Sequence, residues 1–226
     1  MTAHPDDVDF GAAGSVAAFT AAGVEVAYCI VTDGDAGGDD PSISRAEMAA
    51  LRRKEQLAAA AVVGVHDVTF LAHPDGKLAP TLELRRDISR QIRRFRPERV
   101  VAQSPDRMWS RIYASHPDHL AAGEAATCAV YPDARNPFAH PELLAEGLEP
   151  HVVPELWLMA TTSPSVAVET TGTFAKKIEA LRCHASQVGD GSGLDERLRE
   201  WAQRSAQAAG LPDGALAEAF QKVDTA

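Results

Sequence analysis

Two short segments carry residues that can do chemistry together: His4-Pro5-Asp6-Asp7 and Ser115-His116-Pro117-Asp118-His119. Each offers two potential metal ligands three residues apart, His4 with Asp7 and His116 with His119, and each holds a further acid. Residues at i and i+3 share one side of a helical turn, so a single short segment can present both groups to one ion. Zinc takes imidazole nitrogen and carboxylate oxygen, and its catalytic sites use three protein ligands with water in the fourth position. The surplus acids suit proton transfer beside the ion. His-Pro-Asp also has a purely structural use, because Pro fits the first helical turn and Asp is favoured near a helix N-terminus. His73-Pro74-Asp75-Gly76 is such a copy and lacks the second ligand. Two extended copies, each heading an Ala-rich stretch, favour a metal site.

The surrounding elements must hold these segments in place. Residues 10–22 are Ala-rich and apolar on one side, which predicts a helix that Gly23 ends. A β-branched run at 24–31 predicts a strand, and an Asp- and Gly-rich loop follows from Thr32 to Ser44. Its glycines match neither GxGxxG nor GxxxxGK[ST] and read as turn formers. Further helices are expected at 45–63, 81–95, 118–131, 173–183 and 194–209, and strands at 67–71, 99–102, 155–160 and 166–169. The arginines of 85–99 are interleaved with Glu and Asp, the pattern of a solvated helix face. Four prolines within 132–150 make 132–154 an ordered but irregular loop, and the last dozen residues read as weakly helical at best. Strands alternating with helices predict an α/β fold, a mainly parallel sheet covered on both faces in one domain over 1–226. Ligands in such sheets bind at the carboxyl ends of the strands.

The ordered set of segments resembles the PIG-L, or LmbE-like, zinc-dependent de-N-acetylases. Its pieces are the two metal segments, Thr32-Asp33-Gly34-Asp35-Ala36-Gly37, Arg52-Arg53-Lys54-Glu55, Pro74-Asp75-Gly76 and a late His184-Ala185-Ser186-Gln187, in register over roughly 3–187. The resemblance implies a Rossmann-like three-layer sandwich whose first strand, ahead of His4, is here short or missing; without that ladder His4 and Asp7 lose an anchor. It implies zinc held by His4, Asp7 and His119, with Asp6 as the general base. It places His116 opposite, stabilising the developing oxyanion and assisting the leaving amine, and Arg52 on substrate hydroxyls with Glu55 close to it. The substrate class it implies is an N-acyl, chiefly N-acetyl, amino-sugar-like small molecule. That division suits the chemistry, since an amide is a poor electrophile and water a poor nucleophile, and zinc lowers the pKa of water from about 15.7 to ~7. A cationic imidazole facing the tetrahedral oxygen helps the transition state more than the ground state.

Other residues have two readings each. Asp33 and Asp35 touch sugar hydroxyls or solvate a loop, His184 lines the site or caps its own helix, and Trp109 and Tyr113 wall the substrate or simply pack. His66, His140 and His151 show no partner pattern. The 226 residues carry a net charge of −10, which argues against nucleic acid and anionic membranes as partners. Cys29, Cys128 and Cys183 have no pairwise spacing, and with neither an apolar run of span length nor a leader pattern the expected location is cytoplasmic. Oligomeric state is left open. Iron, cobalt or manganese suit the same ligands. Two rivals stay open: an amidase for a larger thiol or antibiotic conjugate, with pocket size set by loops 103–114 and 132–153, and a metal-poor binding protein of the same fold.

Overall fold

A computed structural model describes residues 1–38 and 40–226. In chain order the elements are α1 (Asp7–Ala21), β1 (Ala27–Thr32), α2 (Arg45–Val62), β2 (Asp67–His73), α3 (Leu82–Phe95) and β3 (Arg99–Gln103). A 3-10 segment (Trp109–Ser115), α4 (Pro117–Cys128), a π turn (Ala129–Asp133), α5 (Pro141–Ala145), β4 (Glu155–Met159) and β5 (Val166–Glu169) follow. The chain closes with α6 (Phe174–Arg182), α7 (Ala185–Val188), α8 (Leu194–Ala208) and β6 (Ala217–Asp224). Among the described residues no helix is long and apolar enough to cross a membrane.

The chain divides into two compact units, one of Met1–Ala3, Gly76–Ser163 and Phe220–Ala226, the other of His4–Asp75 and Pro164–Ala219. In the first, β3 pairs in parallel with β4, and β4 pairs antiparallel with the second half of β6. The α/β class stands, but the strands form two sheets and this one is mixed, and the weakly helical C-terminus is corrected to a strand. Residues 217–224 read as helix-compatible locally, but Phe220 is buried against Trp157 and the backbone completes the β4 ladder, a gain invisible to local propensity. Where a first strand was expected, Thr2 forms a single bridge and the Ala3 amide donates to Gln103 Oε1 at 2.9 Å. In α3, Leu84, Ile88 and Ile92 recur at helical spacing and are buried together. The opposite face is not simply solvated: Arg93 is buried, and its guanidinium donates to the carbonyls of Asp133, Ala134, Asn136, Ala139 and Leu148. One cation thereby satisfies a proline-rich loop that lacks a ladder of its own.

In the second unit β1 and β2 form a parallel pair, and β5 lies beside the start of β6. Helix α2 opens with a capping box between Ser44 and Glu47. Helix α1 begins at Asp7, three residues earlier than its apolar periodicity suggests, so His4-Pro5-Asp6-Asp7 is itself the helix start. Phe174, Ile178 and Leu181 of α6 form one core with Leu194 and Leu198 of α8 and Leu216. Glu218 is buried and accepts from the Gly14 and Ser15 amides, the Ser15 hydroxyl and Lys177 Nζ, which fastens α1, α6 and β6. Removing one member of a buried ion pair strands the other. Lys177→Met is expected to lower unfolding free energy by about 3 kcal/mol, the lower part of the usual range because Glu218 keeps three donors. Urea denaturation checks this, and a loss below about 1 kcal/mol would show that the pair adds little to stability.

Candidate active site

The turn that starts α1 gathers the first motif's residues. The His4 amide donates to Asp7 Oδ2 at 2.7 Å, and His4 Nδ1 lies 3.3 Å from the same oxygen. Across the ring, His4 Nε2 lies 3.0 Å from Asp75 Oδ1. A buried imidazole thus has a carboxylate at each nitrogen. His4, Asp7 and Asp75 supply imidazole nitrogen and carboxylate oxygen, the donor types that zinc takes. Asp75 comes from the His-Pro-Asp copy that lacks a second ligand, and only the fold reveals its partner. Burial alone would raise the Asp75 carboxyl, but the His4 hydrogen bond and charge, the Ala36 amide and Arg52 outweigh it and hold the group down at about 2.

Asp6 points elsewhere. Its φ of 89° is rare for a residue with a side chain. Arg52 of α2, 4 % exposed, donates through Nη2 to Pro5 O at 2.7 Å and to Asp6 Oδ2 at 3.1 Å, and through Nη1 to Gly34 O at 3.0 Å. Burial, then the charge of Asp7, push the Asp6 carboxyl up to about 7 against the pull of Arg52, His184 and His4. The glycines of the 32–37 loop have a physical reason. A Cβ at Gly34 would sit 2.5 Å from Arg52 Nη1, and one at Gly37 would sit 2.4 Å from it, so only glycine lets the guanidinium lie flat on this loop. The loop is braced further by Arg45, which grips Asp35 with two hydrogen bonds and reaches Asp75 O.

The other unit carries the second motif at the start of α4. His116 is the N-cap and its Nδ1 accepts from the Asp118 amide at 3.2 Å, with Pro117 in the first turn. The helix-start reading of His-Pro-Asp therefore holds at this segment. His119 Nδ1 lies 3.2 Å from Ala114 O. A carbonyl only accepts, so Nδ1 carries the proton of this contact. Asp118 is buried and accepts from the Gly76 and Leu78 amides at 2.7 and 3.2 Å, so this acid fixes a loop. Trp109 and Tyr113 are 80 % and 59 % exposed, which excludes plain packing, and Arg107 and Arg111 lie over their rings.

Residues 1–130 match the family described as GlcNAc-PI de-N-acetylase, PIG-L. The chain belongs to the PIG-L family. It is 34 % identical over 188 residues to the diacetylchitobiose deacetylase of Thermococcus kodakarensis, covering 81 % of this chain and 67 % of that one. It is 32 % identical over 205 residues to a probable N-acetyl-alpha-D-glucosaminyl L-malate deacetylase 2 of Bacillus anthracis, covering 88 % and 83 %. Among solved structures, the N,N'-diacetylchitobiose deacetylase of Pyrococcus horikoshii superposes with a TM-score of 0.90 at 31 % identity, over 98 % of this chain and 81 % of that one.

Within this PIG-L chain the remaining motif residues fall in places that spacing alone does not indicate. Glu55 does not touch the Arg52 guanidinium. It accepts from the Ser186 amide at 2.8 Å and hydroxyl at 2.6 Å, which ties Arg-x-x-Glu to His-x-Ser-Gln. His184 is fully buried with Nε2 2.9 Å from Asp9 Oδ2, so neither the mouth of the site nor a helix cap describes it. Asp33 remains partly exposed and is held by Arg53 at 2.6 Å. His140 lies 3.4 Å from Asp133, and His151 lies 2.8 Å from Pro97 O. Asp9 and Gln56, both fully buried, were not singled out by spacing; an acid and an amide inside otherwise apolar helical stretches were the only sign.

Proposed function

We propose that this chain is a zinc-dependent N-deacetylase acting on a small N-acetyl amino sugar or a conjugate of one. The observation that carries the reading is the division of labour inside one turn. His4 and Asp7 share a contact, whereas Asp6, between them, has a positive φ and is held by Arg52. Membership of a family of deacetylases supports it, as does the likeness in fold to one of them along nearly the whole chain. On this reading residues 1–226 act as one Rossmann-like three-layer domain.

His4, Asp7 and His119 would hold the ion. When bound, zinc polarises the amide carbonyl and makes water a usable nucleophile at neutral pH. Asp6 takes the proton as the water oxygen bonds to the acyl carbon. His116 faces the oxygen that gains charge and gives a proton to the amine nitrogen as the C–N bond breaks, leaving acetate and a free amine. Arg52 orients Asp6 from behind, and Asp33 meets sugar hydroxyls at the rim. His184 acts through Asp9. No disulfide forms among the described cysteines, which suits a reducing cytoplasm, where we place the enzyme.

A second substrate class has its own support. Trp109, Ile112 and Tyr113 leave large apolar areas exposed just ahead of His116, and Phe138 does so in the proline-rich loop. Aromatic surfaces of this kind suit a larger conjugate. The test is acetate release from a panel of N-acetylglucosamine, diacetylchitobiose, glucosaminyl conjugates of malate and inositol, and N-acetyl sugars bearing aryl groups. Release from the simple sugars is the expected result. Release from the aryl conjugates alone would favour the larger class, and release from none, with metal bound, would leave the binding-protein reading in front.

A further inference from the structure

The Asp6 backbone is strained, and something must hold it. Its amide donates to Gln56 Oε1 at 2.9 Å. Gln56 lies in α2 and is fully buried. Its Nε2 donates to Asp9 Oδ2 at 2.9 Å, and the same oxygen is 2.9 Å from His184 Nε2. Asp9 and His184 are also fully buried, and Asp9 lies in the first turn of α1, directly after the strained peptide. The directions of these bonds are forced. The Asp6 N–H needs an acceptor and the Asp9 carboxylate needs donors, so residue 56 must offer one of each, which a glutamine side chain does. The orientation of His184 is likewise set, with Nε2–H toward the carboxylate. Glu55, next to Gln56, clamps Ser186, two residues beyond His184. Two adjacent α2 residues therefore tie the 184–187 segment to the turn that carries Asp6.

We propose that Gln56, Asp9 and His184 are positioning residues for Asp6. They hold the Pro5–Asp6–Asp7 backbone in its strained turn and so fix the Asp6 carboxylate against Arg52. None of the three meets substrate, because all are sealed from solvent. A buried chain of this kind does for the base what outer partners do for metal ligands, and losing such partners typically lowers activity by 10–100-fold. A small misplacement of a reacting group has an effect of similar size.

The proposal rests on the deacetylase reading only for its kinetic arm. Gln56→Leu removes both hydrogen bonds at nearly constant volume. It is expected to keep its zinc, to lose about 10–100-fold in kcat with little change in KM, and to speed hydrogen exchange of the Asp6 amide. Asp9→Asn keeps an acceptor oxygen in place and is expected to retain most of the rate, whereas Asp9→Leu is not. Ser15→Ala, which removes a buried hydrogen bond to Glu218 in the same helix, is the control for plain destabilisation and should leave kcat unchanged. Where Gln56→Leu does not fold, Gln56→Met removes the same two hydrogen bonds with an unbranched chain and is expected to lose rate and Asp6 protection in the same way. Unchanged Asp6 exchange in the folded Gln56 variant would overturn the network. Faster exchange with unchanged kcat, or loss of zinc along with rate, would overturn the positioning role. A wild-type protein that releases no acetate would instead count against the deacetylase reading, and the exchange measurement would still decide the network.

Discussion

Asp6→Asn is expected to keep its metal and to turn over roughly 10²–10⁴-fold more slowly, the usual contribution of a positioned general base. Asparagine is the informative replacement. Its amide oxygen still accepts from Arg52 and its backbone still donates to Gln56, so the turn and the buried guanidinium keep their partners. What disappears is the ability to take a proton. Alanine would also leave Arg52 facing a gap and would mix two effects. Kinetics on the best substrate of the panel, with elemental analysis of the same sample, measure both quantities. An Asp6→Asn enzyme within a few-fold of wild type would remove Asp6 from the chemistry and make Asp75, the other carboxylate beside His4, the residue to examine.

Metal removal is expected to have an even larger effect. Purified protein should hold about one zinc per chain, a chelator should abolish activity, and added zinc should restore it. His119→Ala should hold far less metal and should not recover, since three protein ligands are the usual minimum of a catalytic zinc site. The reason to choose His119 is its orientation. Its Nδ1 lies 3.2 Å from Ala114 O, a contact that fixes the orientation of the ring. His116, whose Nδ1 caps α4, is the matched comparison. His116→Ala should retain metal and lose rate. If His119→Ala binds zinc as the wild type does while His116→Ala does not, the roles of the two histidines are exchanged.

Much of this molecule is legible in its residues. Helices α2, α3 and α8 follow from spacing and caps to within one or two positions, because a 3.6-residue period and a capping Ser or Thr act over a few residues. The HPDD and HPDH segments stand out by residue type, and the PIG-L match over residues 1–130 covers both. The start of α1 was harder to place, since the turn before it is polar and bent by Asp6. Strand β6 was misread because its alternation is weak and its reason for being a strand is the open edge of β4, more than fifty residues away.

The polar interior divides in the same way. Residue type and local spacing determined which groups are present: two histidine-bearing segments, a surplus of carboxylates, an arginine followed three residues later by an acid. Only the tertiary structure decided what each one does. It set Asp75 against His4, turned Arg52 onto Asp6 and Gly34, gave Glu55 to Ser186, buried Arg93 among carbonyls and made Asp118 a loop anchor. The physical reason is that a buried polar group must find a partner or be destabilising, and that partner is whichever group the folded chain brings into hydrogen-bonding reach, not one that spacing along the chain can specify.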